Sequence, residues 1–534
     1  MRISYRPVLL LAVALAGCTK TDPLYCDEAT PCGDSERPFC DLEGEYAESE
    51  GIKRTCIADP DFSIALADED AQVRIGSELQ LEVTVDRKAS FPADVTITAS
   101  GLPPGTSAEP ITIDADSTSG TLAIQGGDAE PGALMEGTVV ATSGPLERTA
   151  DLRLLVLGPA GTLDPTFGTN GFVGEPVGSD MDDAIALMPL DDGSIIVGGP
   201  NRSPSDEAVL VRYSSDGELD TAFGEGGSTQ VAFDGADIDA NASVRFAQQS
   251  DGKIIVGTGS ETGDMALARV TTDGDLDSTF VGGGIAVFPI AGGPSIQIDT
   301  IGIGPDNEIV VAMAHDSGDE LSVVRFDRDG EKDLSFAGGR LALDRGSNQA
   351  VSRVQVFADG GMLVSGSAYE PDPPAVPFYV RLTASGSLDS SVGEGGEISV
   401  PAGFGLALVE DTGAMLLLDV ADANVAFRRM TPAGEPDSSF GDGGELMVAV
   451  PAGWTGGSYL PTAAGLLAVG RPDITLTRFD LDLRELDPTF GDGGTATTLV
   501  ENIAARRAVR QADGRVVVLA DEDSFPFLLA RFFE

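Results

Sequence analysis

The string Leu-Asp-Pro-Thr-Phe-Gly begins at Leu163 and is written again from Leu486, with looser copies between them. Its aspartate recurs at Asp164, Asp220, Asp277, Asp333, Asp389, Asp437 and Asp487, at intervals of 56, 57, 56, 56, 48 and 50 residues. Self-similarity at such a period confines this part of the chain to a propeller or a solenoid.

One unit shows what is being repeated. "SVRFAQQ" from Ser243 reads as a strand, and "SDG" from Ser250 as a tight turn in which Gly252 takes a positive φ. "KIIVG" from Lys253 reads as the return strand, its unbroken apolar run implying cover on both faces. "MALARV" from Met265 and "GIAVFPI" from Gly284 complete four strands, enough for one blade. Within the phrase, Leu and Phe are expected to bury between neighbouring blades. The Asp is expected to accept from backbone N–H groups two or three residues on.

The phrase is out of register with the blade. Asp164 has no repeat-type strand before it, and the last unit ends at "FLLARFFE" with no phrase after it. A solenoid built this way would leave both edges unpaired. A ring uses the offset. The segment Gly171 to Val177 is predicted to pair with the strand containing Phe527 to Phe532, which brings Asp164 to Arg531 and closes seven blades of four strands.

These units resemble the delta-60 repeat family, whose pattern is L-D-x-T-F-G followed by a P-D-G-K-I-V-V-like and an A-L-A-R-Y-like strand. The resemblance covers Gly161 to Glu534 and implies a β-propeller, without an activity. Departures are Val392 in place of Phe, and Val281 and Ala337 in place of the glycine that Gly224 represents.

Arginine recurs at the end of the third strand, at Arg212, Arg269, Arg325, Arg381, Arg428, Arg478 and Arg531. Pairing with carboxylates inside or between blades is the favoured reading, since a guanidinium fork suits a carboxylate. A cationic ring for an anion is the alternative. "DRDGEKD" from Asp327 and "TDGDLD" from Thr272 place carboxylates at alternate positions, but neither meets the EF-hand pattern, so no metal or other cofactor is assigned. The one histidine, His315, reads as an exposed loop residue, and no G-x-S-x-G, P-loop or H-E-x-x-H string occurs.

Upstream of Gly161 the chain changes character. Arg2 and Arg6 precede a short apolar run, Val8 to Ala16, which ends in Leu15-Ala16-Gly17-Cys18. This resembles a bacterial lipobox with Cys18 as the lipidated residue. Thr19 after it implies, by the same resemblance, an outer-membrane lipoprotein of the cell envelope, periplasmic or surface-exposed. Cys26, Cys32, Cys40 and Cys56 crowd one short stretch and are expected to form two disulfides, in any of three pairings. Zinc is the weaker reading there, since no C-x-x-C pair or nearby histidine is present. From Phe62 to Leu157, alternating strands such as "SELQLEVTV" from Ser77 suggest a β-sandwich. "VTITASGLPPGTSAEP" resembles bacterial immunoglobulin-like domains, which implies a spacer.

The predicted organisation is therefore a signal peptide over 1–18, a disulfide-stapled segment over 19–60, an Ig-like sandwich over 61–158 and a propeller over 159–534, all-β throughout. The formal net charge of −53 over 534 residues sets nucleic acid aside as a partner. The membrane is met through lipid on Cys18, and the remaining partner is an unidentified protein or glycan. Two functions stay open. One is a non-catalytic binding or scaffold propeller. The other is a propeller hydrolase of glycans or lactones, with its groups at the channel mouth on loops such as those starting at Pro200, Tyr369 and Val450, the last holding Trp454.

Overall fold

The computed structural model describes residues 39–41, 55–57, 61–88, 91, 93–174, 181, 184–201, 207–233, 244–260, 262–290, 295–315, 320–344, 349–368, 376–401, 403–410, 412–421, 423–462, 465–471, 473–482, 484–498, 503–522 and 525–534. The chain divides into two units, Met1–Pro159 and Ala160–Glu534. Among the described residues the fold is all-β, with two short 3-10 turns and no helix long and apolar enough to cross a membrane.

In the first unit, alternation makes the strands. Along Glu78–Arg87 the residues Leu81, Val83 and Val85 face inward while their neighbours face water. This strand belongs to a sheet ordered Phe62–Leu66, Glu78–Arg87, Ser119–Gln125, Ser107–Ala108. The second sheet runs Asp70–Arg74, Leu146–Leu157, Leu134–Ser143, Val95–Ser100, Ile111–Ile113. Both contribute to one core that includes Phe62, Leu81, Ile97, Leu122, Val139 and Leu154. Nearer the N-terminus, Phe39–Asp41 pairs antiparallel with Thr55–Ile57, with Cys40 and Cys56 as register partners along the backbone. Cys18, Cys26 and Cys32, and with them the lipobox and half of the expected disulfide set, lie outside the described residues.

The second unit is a β-propeller of short antiparallel sheets. Seven are present among the described residues, numbered here from the N-terminal side. Sheet I holds Ala186–Pro189, Ile195–Asn201, Glu207–Tyr213 and Ser228–Ala232. Sheet II holds Arg245–Gln248, Ile254–Gly259, Asp264–Val270 and Ile285–Pro289. Sheet III holds Ile296–Ile303, Ile309–His315, Leu321–Phe326 and Leu341–Leu343, and sheet IV holds Gln349–Val356, Met362–Ala368 and Val376–Leu382. Sheet V is Gly405–Val409, Met415–Ala421, Asn424–Met430 and Glu445–Ala449. Sheet VI is Thr455–Thr462, Gly465–Arg471, Ile474–Asp480 and Thr495–Thr498, with the short Glu485–Leu486. Sheet VII joins the two ends of the unit: Ile503–Arg510, Val516–Glu522 and Phe525–Phe532, then Phe172–Gly174 from the start of the unit, with Phe172 opposite Ala530.

The second strands of sheets I and II, Ile195–Asn201 and Ile254–Gly259, are buried along their whole length, because a sheet covers each face. The apolar clusters lie between sheets. Ile196 and Leu210 of sheet I pack with Ile254 and Val256 of sheet II. Val517 and Leu529 of sheet VII pack with Ile195 and Val209 of sheet I. The first strands neighbour one another, so they form the innermost layer.

Candidate functional site: arginines of the central channel

The repeated phrase folds into a joint between sheets. Asp277 Oδ1 accepts from Thr279 N at 3.0 Å and Thr279 Oγ1 at 2.6 Å, and Oδ2 accepts from Arg269 Nε at 2.8 Å. Arg269 lies 5.1 Å from the centroid of Phe280 and donates to the carbonyl of Arg328, in the turn of the next sheet, at 2.5 Å. Burial alone would raise the Asp277 carboxyl. The bonds from Thr279 and Lys253 and the Arg269 charge reverse that and hold it far below the usual range. Asp164, which is wholly buried, repeats the arrangement with Arg531 at 2.8 Å and Arg515 at 2.7 Å. The recurring arginines therefore pair with carboxylates.

Three expectations from the sequence need correction. Arg429, not Arg428, is the joint residue of sheet V: the Asp437 amide donates to the Arg429 carbonyl at 2.9 Å, while Arg428 bonds Glu445. The phrase phenylalanines Phe167, Phe223, Phe280, Phe336 and Phe490 are buried, but Leu276 and Leu388 are 42% and 44% exposed. The leucine's place is set by its main chain, which bridges the end of the third strand, as Leu276 does Val270. His315 is not a loop residue. It ends a strand, is 2% exposed, and shares Nε2 with Ser322 Oγ at 2.8 Å, with burial and the Arg340 charge pushing its pKa down. Trp454 is likewise buried, donating to Thr477 Oγ1 at 2.9 Å.

The carboxylates of "DRDGEKD" serve the turn itself: Asp327 Oδ1 accepts from the amides of Asp329 and Glu331 at 2.9 Å. Among the described residues no cluster of His, Cys, Asp or Glu could hold a metal ion. Residues 202–206 and 369–375, central to two of the three loops singled out in the sequence, lie outside the described residues.

Chemistry of a different kind gathers on the innermost strands. Arg245 pairs across its sheet with Gly257, Arg353 with Ser365, and Arg507 with Leu519. Each partner is the fourth residue of its second strand, so the three arginines hold one equivalent level in sheets II, IV and VII. Sheet I stands between VII and II, sheet III between II and IV, and sheets V and VI between IV and VII. Five first strands carry a β-bulge: that of sheet V between Leu406 and Leu408, and those of sheets III, IV, VI and VII between Ile298 and Thr300, Val351 and Arg353, Gly456 and Ser458, and Ala505 and Arg507. The extra residues of the last four, Asp299, Ser352, Gly457 and Arg506, line one cavity of about 880 Å³. Bulges turn an additional residue out of the ladder, and they recur beside functional sites.

Arg245, Arg471, Arg506 and Arg507 line this cavity, against one carboxylate among the described lining residues, Asp299. Arg245 Nε donates to the Asp299 carbonyl at 2.6 Å. Asp299 Oδ2 accepts from the Val351 amide at 3.1 Å. Removal from water pushes the Asp299 carboxyl up to about 6, with the Val351 amide, the Arg245 charge and the Ala314 amide opposing. Channel solvent reaches Arg353 and Arg507, yet the surrounding walls strip enough water to lower both pKa values, and the Arg353 charge adds to the effect on Arg507. No carboxylate among the described residues bonds Arg353 or Arg507.

These channel arginines did not stand out from the sequence, although a signal existed. Arg245, Arg353 and Arg507 each stand six residues before a turn aspartate, at Asp251, Asp359 and Asp513. The phrase drew attention to the third strand instead.

A family model described as "Domain of unknown function (DUF5122) beta-propeller" matches residues 190–223 and 249–280. These residues span second and third strands, turns and phrases of sheets I and II, so the unit carries β-propeller repeats. No curated protein matches the chain. Among solved structures, the chain is similar to a quinoprotein alcohol dehydrogenase-like protein from Bacteroides thetaiotaomicron, at 11% identity over 85% of this chain and 88% of that one, with a TM-score of 0.35. It is also similar to the Nup133 β-propeller domain of Vanderwaltozyma polyspora, at 8% identity over 75% and 91%, with a TM-score of 0.32.

Proposed function

We propose that this chain is a lipid-anchored envelope protein whose propeller is a non-catalytic binding module, with the ligand held in the central channel. In this reading Cys18 carries the lipid at the outer membrane, two disulfides staple the segment from Cys26 to Cys56, and an Ig-like sandwich spaces the propeller from the membrane. The seven sheets are seven blades of the delta-60 kind, closed where Phe172–Gly174 completes sheet VII. The Leu15-to-Cys18 string and the crowding of cysteines support the anchor and the staple. The two sheets over one core support the sandwich.

One observation carries the binding role. The cavity of about 880 Å³ is of a size suited to small ligands, and four of its described lining residues are arginines. Hydrolysis by paired carboxylates needs two groups of opposed tuning, and Asp299 stands alone in the described lining.

A channel-filling variant tests the reading. The Gly457 position leaves ordinary contact distance around an added Cβ, with the nearest atom at 3.5 Å, so Gly457→Trp should fold and occlude the cavity. Capture of envelope glycans by the wild-type chain and its loss in Gly457→Trp is the expected result. Equal capture by both would place binding elsewhere. Turnover of a chromogenic glycoside or lactone that disappears in Asp299→Asn would favour the hydrolase.

A further inference from the structure

The channel is the reverse of the molecule around it. The chain carries a net charge of −53, and the joint arginines each have a carboxylate. Gathering three guanidinium groups around the single carboxylate of Asp299 costs desolvation, which lowers the pKa values of Arg245, Arg353 and Arg507, and mutual repulsion, which lowers those of Arg245 and Arg507 further. An internal counter-charge would remove that cost, and this chain has carboxylates to spare. What fits the vacancy in the charge pattern is a ligand's own negative charge.

Geometry narrows the class. Arg245 and Arg507 line the cavity from two different sheets, and Arg353, whose charge Arg507 feels, holds the same register level in a third, so a ligand can be gripped from several sides. A guanidinium fork matches the paired oxygens of a carboxylate or a phosphate. The cavity is far larger than a single inorganic anion, and beside its charged groups its wall is Ser352, Thr455, Ser458 and glycine backbone with the small apolar patches of Ile185, Val351 and Ala505, without an aromatic side chain among the described lining residues. Such a wall suits a hydrophilic body and offers nothing for stacking and little for an acyl chain. Asp299 admits a hydroxyl donor beside the anionic group.

We propose that the central channel binds a hydrophilic organic oxyanion bearing more than one carboxylate or phosphate group, held by Arg245, Arg353 and Arg507. The proposal rests on the reading of the propeller as a channel-binding module and names the chemistry it takes.

Titration calorimetry on the full chain tests it, with citrate and tripolyphosphate as probes for the two sources of charge and a neutral maltose oligomer as control. Citrate or tripolyphosphate should bind saturably and more weakly as salt is raised. Each of Arg353→Gln and Arg507→Gln should weaken that binding by about tenfold, the loss of a charge-assisted bond. The tighter of the two probes identifies carboxylate or phosphate as the source. A thermal melt separates binding from structure, because removing one member of an uncompensated cluster should leave the midpoint unchanged or raise it. Binding of either anion with equal strength in the wild type and both arginine variants would overturn the proposal. So would a lowered melting midpoint with unchanged affinity. If only the neutral oligomer binds, and Gly457→Trp abolishes that, the channel-binding reading stands and the oxyanion falls. If no probe or glycan binds, both fall.

Discussion

Arg531 and Arg507 lie in the same sheet of this molecule, on its third and first strands, and face opposite circumstances. Arg531 is wholly buried and ion-pairs with Asp164 at 2.8 Å, over the ring of Phe167. Arg507 faces channel solvent and has another arginine's charge beside it. One residue type therefore does two jobs, and the available partner decides which. Where a sheet meets its neighbour, the guanidinium is locked by a carboxylate, a hydroxyl and a carbonyl. Where the first strands ring the channel, no carboxylate among the described residues bonds Arg353 or Arg507, and their charge is available for something else.

Breaking the joint should have the largest effect. Asp164→Ala strips from Arg531 the buried carboxylate it shares with Arg515, which keeps Asp513, and should cost about 3–5 kcal/mol in urea or thermal unfolding. The pH profile carries a second signature. The Asp164 carboxyl is held below its ordinary value: burial opposes this, and the Arg531 charge, the Thr166 bonds and the Arg515 charge outweigh it. Its contribution is therefore full above the unfolded pKa near 4 and is lost as pH falls below it. That acid-side loss should be missing in Asp164→Ala.

Asp299 should behave in the opposite sense. Its folded pKa is raised to about 6, so the folded form holds its proton more tightly than the unfolded chain does. The stabilisation is whole below about pH 4 and is lost as pH rises through about 6. Asp299→Asn should flatten that slope and raise stability at pH 7 by on the order of 1–2 kcal/mol, channel water screening the rest. A slope unchanged by the substitution would show that the carboxyl is not the titrating group.

The smallest effect belongs to the channel arginines. Arg353→Gln should shift the unfolding free energy by less than about 1 kcal/mol, toward greater stability. A loss comparable with that of Asp164→Ala would erase the distinction between the two classes of arginine.

Much of this architecture was legible in the repeat. The period announced the repeated sheets, and the missing strand before Asp164 pointed to a pairing that occurs between Phe172–Gly174 and Phe525–Phe532. Turn aspartates and phrase phenylalanines could be read because their work is local or apolar. Less legible was anything set by main-chain geometry. The exposure of Leu276 follows from a backbone bridge to Val270 that no side-chain pattern encodes. Where Val281 and Ala337 replace a glycine, the phrase closes with 3-10 turns, Val281–Gly283 and Ala337–Gly339. Gly282 then takes the positive φ of 71° in one, and Ala337 itself bears 47° in the other. His315 looked like a loop residue because polar neighbours follow it, yet its strand continues through it. The channel site was the least legible. Its members come from three sheets and from bulges, and only the folded ring brings them to one level.

The most direct test of the central claim is diffraction from crystals of the protein soaked in tungstate, a tetrahedral oxyanion with strong anomalous scattering. The account predicts an anomalous peak inside the channel, within hydrogen-bond reach of Arg245, Arg353 or Arg507, that disappears in crystals of Arg353→Gln combined with Arg507→Gln. Peaks confined to the outer surface, with the channel holding only water, would contradict it.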